Sequence, residues 1–324
     1  MISRRFIRIK VMQAIYSHQM RSDEYLFEGK KRLQASFEDT YSLFVKMLGI
    51  FGAMTFQAQQ IIDTNKQKLL PTKEDLQPNL KFVNNLFIKK LEHNEDLQKK
   101  LRSKGMAWNN DLDVLFAKSV YKQLTKTPLY QDYMAKYELA YNTFKDDKSF
   151  IFNVTEQFFL ENEEIAAYFG EKKINWYLDY NDVILLIHRY LQEVHKNTPD
   201  STPLPNLFKP VEDGLLDDKQ FAYDLFMLAI ENDAQFQSII ADTVQHWDVE
   251  RLATLDVILL KMAMCEFCKF PSVPIKVTFF EYLELSKYYS TPKSRGFING
   301  VLDKILEKLK EEGKINKTGR GLIE

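Results

Sequence analysis

An all-α chain is predicted by three features: few helix-breaking residues, apolar residues recurring near a 3.6-residue period, and three tryptophan-centred helical segments. Glycine numbers 11 and proline 10 in 324 residues. Leu, Lys, Glu, Gln and Ala fill the stretches between them, which favours helices over strands broken by frequent turns. The length exceeds the common single-domain size of roughly 100–200 residues, so two or three helical sub-bundles are expected.

The first helix is predicted from Ser3, a suitable N-cap, to Met20. At 100° per residue, Ile7, Val11, Ala14 and His18 form one stripe with Arg4 and Arg8 beside it and Arg5 adjacent; Phe6, Ile9, Tyr16 and Met20 form a second apolar face. Lys10 falls on the far side. Arginines on such a helix are held in fixed positions, and a guanidinium fork suits phosphate oxygens better than a flexible lysine does. A second helical tract runs from about Gly29 to Leu70 and carries Phe37, Tyr41, Phe44, Leu48, Phe51 and Met54, with Gly49 and Gly52 marking close helix contact. Pro71 to Asn79 ends it.

Beyond that boundary, Trp108, Trp176 and Trp247 stand 68 and 71 positions apart in similar contexts. Each follows a helix that opens on Glu/Asn residues. Each then leads through an acidic turn into Asp113-Val114-Leu115, Asp182-Val183-Ile184 or Asp256-Val257-Ile258, a periodicity expected of duplicated helical units. The similarity continues past the first and third units, where Phe150–Asn153 (FIFN) aligns with Phe297–Gly300 (FING). Asp146, Asp147 and Lys148 then occupy the place of Lys293, Arg295 and Gly296, so a basic turn has become largely acidic. The Pro-rich stretch Asn197 to Pro210 separates the copies. The expected organisation is residues 1–70 as a basic helix and first bundle, 71–205 as an inserted degenerate repeat, 206–312 as a C-terminal bundle, and 313–324 as a flexible basic tail.

In the terminal block TPKSRGFINGVLDK, Lys293 and Arg295 lie in a Ser/Gly turn at the mouth of a helix whose apolar residues are Phe297, Ile298, Val301, Leu302, Ile305, Leu306 and Leu309. Cations beside helix N-terminal N–H groups suit phosphate. Asn299 reads as structural. The formal net charge of −1 conceals a division along the chain. Residues 1–32 hold eight Lys/Arg against three Asp/Glu, residues 200–268 four against thirteen, and residues 269–324 eleven against seven. Basic ends around an acidic segment fit a protein whose ends face a polyanion.

Other chemistry is weakly supported. Cys265 and Cys268 form a CxxC inside a helix, with no second pair for a zinc site and no strand before it for a redox motif. The histidines are scattered, and the pairs Glu163-Glu164, Asp217-Asp218 and Glu311-Glu312 read as solvated. No phosphate-binding glycine loop, nucleophile–base pairing or cofactor turn is present, so neither enzyme activity, metal nor cofactor is expected. The opening MISRRFIRIKVMQ lacks the apolar region of a secretory signal, and no apolar run approaches the ~20 residues that span a bilayer, so a cytoplasmic location is expected.

Two stretches resemble the NusB family of bacterial transcription antitermination factors. SRRFIRIKVMQAIY resembles the family's arginine-rich first helix ending in QALY, matching at Arg4, Arg5, Arg8, Gln13, Ala14 and Tyr16. Trp247 through Lys304 resembles its second half at Val273-Pro274-x-Lys276-Val277, Glu281, Leu285-x-Lys287 and Phe297-Ile298-Asn299-Gly300-Val301-Leu302-Asp303-Lys304. Phe6 stands where a further arginine is usual, Ile9 where an acid is, and Phe279-Phe280 where an Ile-Asn pair is. The resemblance implies NusB-like packed helical sub-bundles, here with an added duplicated region in the middle, and no catalysis. It also implies binding of single-stranded boxA-like RNA of rRNA leaders, together with the ribosomal protein NusE, and action on the RNA polymerase elongation complex. The RNA role carries over onto Arg4, Arg5, Arg8, Gln13 and Tyr16, and onto Lys293 and Arg295. The competing reading is a helical protein–protein scaffold or rRNA-processing accessory protein without direct RNA specificity.

Overall fold

The computed structural model describes residues 1–21, 25–103, 105–136, 143–209, 217–244, 253–291 and 294–323, and these are all-α with no strand among them. In chain order the helices are α1 (Arg4–Gln19), α2 (Leu26–Lys66), α3 (Lys73–Leu76), α4 (Leu86–His93), α5 (Glu95–Leu101), α6 (Asp111–Thr125), α7 (Pro128–Ala135) and α8 (Phe144–Val154). They continue with α9 (Glu163–Lys172), α10 (Ile174–Glu193), α11 (Asp218–Glu231), α12 (Asp233–Thr243), α13 (Thr254–Lys269), α14 (Ile275–Tyr289) and α15 (Ser294–Glu311). The chain divides into two compact units, one comprising Met1–Phe37 with Asn206–Glu324, the other Glu38–Pro205.

In the inner unit, two tryptophans hang on α2. The indole N–H of Trp108 donates to the Lys46 carbonyl at 2.9 Å and that of Trp176 to the Asp39 carbonyl at 2.9 Å. Their acceptors lie two turns apart, about 10 Å along the axis. The backbones around the two rings differ, however. Trp108 precedes α6, whereas Trp176 lies in the first turn of α10, so no acidic turn separates Trp176 from Asp182. Trp247 lies outside the described residues. The unit's polar centre is the buried Asp113 carboxylate, which accepts from Lys46, Tyr168 and Asn110, and from Lys172 at 2.6 Å. A carboxylate buried this completely is tolerated because each oxygen has charged or hydroxyl donors.

In the outer unit, α13 is apolar on nearly every side. Ile258, Leu259, Leu260, Met262, Ala263 and Met264 are all buried, and the helix packs on α1, α11, α12, α14 and α15. A helix with no polar face belongs in the centre of a bundle. Of its three buried charged residues, Lys261 pairs with Asp233 at 2.6 Å and Glu266 as described below, while Asp256 near the start of the helix keeps one carboxylate oxygen without a hydrogen bond among the described residues. Residues 313–323, expected as a flexible tail, lie against the C-terminal end of α13. Lys317 Nζ donates to the carbonyls of Glu266 (2.9 Å) and Phe270 (3.0 Å), and the Thr318 N–H donates to Pro271 O at 3.0 Å. A lysine there satisfies carbonyls that the helix itself leaves unpaired. Gly321 is required by this docking, because a Cβ at that position would lie 1.8 Å from the Pro271 oxygen.

Candidate nucleic-acid interface

Helix α1 begins as its sequence predicts, with Ser3 Oγ accepting the Phe6 N–H at 3.1 Å. Its burial departs from the simple wheel. Lys10 is buried with its ammonium over the Phe6 ring, while Tyr16 and Met20 stand exposed. Packing against both α11 and α13 covers more of the helix than one apolar stripe would.

The three arginines meet three acids that lie far away in the chain, and the partners assign them different roles. Arg8 is 2% exposed and forms a two-pronged pair with Glu266, Nε to Oε1 at 2.7 Å and Nη2 to Oε2 at 2.8 Å. The same carboxylate accepts from the Tyr282 hydroxyl at 2.7 Å and the Thr278 hydroxyl at 3.1 Å. The Arg8 guanidinium also lies over the Phe221 and Tyr282 rings. Burial opposes its charge, but the Glu266 carboxylate outweighs burial and raises its pKa, while burial drives the Tyr282 phenol up. Arg8, expected as an RNA contact, is therefore buried in the bundle with its guanidinium committed to Glu266.

Arg4 and Arg5 are partly open. Arg4 Nε lies 2.8 Å from Asp218, with 32% of the side chain exposed and the guanidinium over Phe221. Asp218, read from sequence as solvated, is buried at 3% by this pairing. Arg5 is 38% exposed and binds Glu281 through Nε at 2.9 Å and Nη2 at 3.0 Å; that hydrogen bond raises its pKa. Ser3, Arg4, Arg5, Arg8, Val273, Pro274, Val277 and Glu281 line a cavity of about 350 Å³.

Gln13 and Tyr16 belong to a separate groove of about 570 Å³, shared with Ala253, Thr254 and Leu255 at the start of α13 and with Tyr289, Ser290 and Thr291 at the end of α14. The structure thus joins the C-terminal half of α1 to the beginning of the terminal turn. That turn is braced by hydroxyls. The buried Ser294 side chain lies 2.8 Å from both Ser290 Oγ and Thr291 Oγ1, and its N–H donates to Thr291 O at 2.9 Å. Lys293 lies outside the described residues. Arg295 is 54% exposed, with Nη2 3.6 Å from Glu284, beyond normal hydrogen-bond length. Asn299 is exposed, its amide 3.4 Å from Asp303, so its expected structural role is limited to the α15 surface.

Sequence reasoning missed the pairing of Asp218, Glu266, Glu281 and Glu284 with the arginines, although it names Asp218 and Glu281, and it missed the outward placement of Phe280 and Tyr288 on α14. Among the described residues no group of His, Cys, Asp and Glu could hold a metal ion. Burial raises both Cys265 and Cys268, which disfavours the reactive thiolate. No helix of the described residues is long and apolar enough to cross a membrane.

Residues 191–307 match the NusB family. Over 105 residues the chain is 44% identical to the transcription antitermination protein NusB of Salinibacter ruber, covering 32% of this chain and 66% of that protein. Over 96 residues it is 38% identical to the protein of the same name from Koribacter versatilis, covering 30% and 66%, and over 106 residues 35% identical to that of Chloroherpeton thalassium, covering 33% and 50%. The chain thus spans between 50% and 66% of the length of these relatives. No solved structure matches it significantly. The match over the C-terminal third of this all-helical chain, with relatives up to 44% identical there, shows that residues 191–307 are a NusB-family domain.

Proposed function

We propose that this protein is a non-enzymatic, cytoplasmic transcription antitermination factor. It binds boxA-type single-stranded RNA of rRNA leaders together with NusE and acts on the RNA polymerase elongation complex. The inner unit is an addition to the shorter family scaffold, and RNA contacts belong to the outer unit.

The observation that carries this reading is the convergence on α1 of half-open guanidinium groups, Arg4 and Arg5, with the exposed Gln13–Tyr16 groove that runs to Thr291. Anchored arginines offer directed donors for phosphates, and an exposed tyrosine offers a face to an unpaired base. Arg295, open beside that turn, extends the cationic edge. Arg8 contributes by fixing the helix that carries the others.

The test is a titration of the full chain with a labelled boxA-like RNA oligonucleotide, with and without NusE, across salt concentrations. Affinity should fall with salt at a log–log slope of roughly −0.7 per neutralised phosphate. Replacing Arg4 and Arg5 together by alanine should flatten that slope and weaken binding while the helical spectrum is preserved. Affinity that ignores both salt and the double substitution would favour a protein–protein scaffold.

A further inference from the structure

The outward side of α14 holds a pattern that the α1 arginines and the Tyr16 groove do not account for. Val277, Phe280, Glu281, Glu284 and Tyr288 recur every three or four residues, so they share one helix face. Phe280 is 57% and Tyr288 69% exposed. Large aromatic rings left open on one surface usually mark a contact site. Each ring has a cation against it, the Arg5 guanidinium 5.6 Å from the Phe280 centroid and Lys287 Nζ 5.4 Å from that of Tyr288. Arg5 is fixed there by Glu281, and Arg295 reaches the same face beside Glu284. The two basic regions, one at each end of the chain, are thereby brought to a single helix.

We infer that this face of α14 is a base-stacking platform for single-stranded RNA, with Phe280 and Tyr288 as the rings and Arg5, Lys287 and Arg295 as the cations beside them. The inference rests on the RNA-binding reading above and extends it to a second surface. Eight residues separate the rings, about 12 Å along the helix, so each has room for its own base. Unpaired bases stack on aromatic side chains irrespective of sequence, and arginine adds both charge and cation–π contact. A protein partner fits less well, because the centre of a protein–protein interface is depleted in charge, whereas here cations alternate with the rings.

The acids on this face do not cancel its cations. The pair with Glu281 uses Nε and Nη2 of Arg5 and leaves the Nη1 edge of a 38%-exposed side chain for another acceptor. The Glu284–Arg295 contact is long enough to yield to a phosphate. Phe280 also borders a cavity of about 630 Å³ lined by Lys276, Phe279, Leu283, Asp303, Leu306 and Lys310, among others. Its apolar walls, one carboxylate and lysine rim suit a base turned in beside the ring.

The experiment measures binding of a labelled boxA-like RNA oligonucleotide, and separately of NusE, to the full chain and to Phe280→Ala, Tyr288→Ala, Phe280→Trp and Tyr288→Phe. Both positions are exposed, so the variants should keep the wild-type helical spectrum and thermal midpoint. Each alanine variant should lose roughly 5- to 100-fold in RNA affinity, the range for loss of one stacked base, with an unchanged salt slope. The aromatic replacements should retain affinity. Wild-type RNA affinity for the alanine variants would overturn the platform while leaving the α1 reading intact, and lost NusE binding in those same variants would identify the face as a protein contact. Wild-type protein without salt-dependent RNA binding would overturn both.

Discussion

The starts of α8 and α15 align through Phe150 and Phe297, yet they use their polar residues in opposite ways. Counting back from the phenylalanines corrects the pairing read from the sequence: Asp147 stands against Ser294 and Lys148 against Arg295, so only Asp146 replaces a cation, Lys293. Asp147, inside α8, and Ser294, the first residue of α15, are both buried, so the aligned position keeps a buried polar group in each unit. Asp147 accepts the Leu86 N–H and the Tyr133 hydroxyl, each at 2.7 Å, whereas Ser294 collects two hydroxyls. Lys148 is absorbed by its own unit, its ammonium donating to the carbonyls of Gln192 (2.9 Å) and Val194 (2.8 Å) at the end of α10. Among the described residues Arg295 has a long contact with Glu284, and it stays 54% exposed. The same scaffold position is a helix cap in one unit and a surface cation in the other, so packing determines which charge remains available to a ligand.

The buried charges extend the comparison. The outer unit closes around Arg8 and Glu266, the inner unit around Asp113 with Lys46 and Lys172. The largest expected effect is that of Glu266→Ala, which strips the carboxylate from Arg8, Tyr282 and Thr278. Unpairing a buried charge costs about 3–5 kcal/mol. Denaturant unfolding should show that loss, whereas Arg5→Ala, at a half-open pair, should cost no more than about 1 kcal/mol. Equal losses would abolish the distinction between strut and ligand arginine.

The inner unit should carry a specific acid sensitivity. Burial opposes the charge of Asp113, but donation from Lys172, Lys46 and Tyr168 prevails and holds its pKa near about 2, below the ordinary 3.8. A depressed carboxylate contributes stability that is complete above about pH 4 and is lost as the pH falls toward 2. The magnitude is about 2 kcal/mol at 1.36 kcal/mol per unit. Denaturant midpoints across that window should decline in the native protein, and Asp113→Asn should flatten this part of the profile while lowering stability at neutral pH.

The smallest effects separate the two aligned turns most finely. Lys148→Ala should cost about 1 kcal/mol by freeing two carbonyls and leave RNA affinity unchanged. Arg295→Ala should alter stability by no more than about 0.5 kcal/mol, as for an exposed pair, yet weaken RNA binding and reduce its salt slope. Thermal melts and RNA titrations on the same preparations would check both.

The all-helical class was legible because so few glycines and prolines interrupt the chain, and Ser3 marked the start of α1 through a local capping pattern. The arginine-rich helix was also legible, but not the division of labour within it. Asp218, Glu266 and Glu281 lie 214, 258 and 276 positions from the arginines they bind, and no local pattern announces such pairs. The wheel placed Lys10 on the side away from the arginines without showing whether that side is covered, and the packing of α1 on both α11 and α13 explains its burial. The tryptophan repeat was legible as duplicated helical units, but neither the hydrogen bonds that Trp108 and Trp176 donate to α2 nor the placement of one ring before its helix and the other within it could be read from the spacing. Phe280 was visible as a departure from the family pattern, but its exposure depends on which side of α14 faces the bundle.

The most direct test is amide hydrogen exchange of the full chain, read by mass spectrometry with and without a boxA-like RNA oligonucleotide. Protection should develop in peptides covering α1, the outward face of α14 and the start of α15, and be absent from the start of α8. Protection at α8, or an exchange pattern unchanged by RNA, would contradict the assignment of the ligand-facing charge to the outer unit.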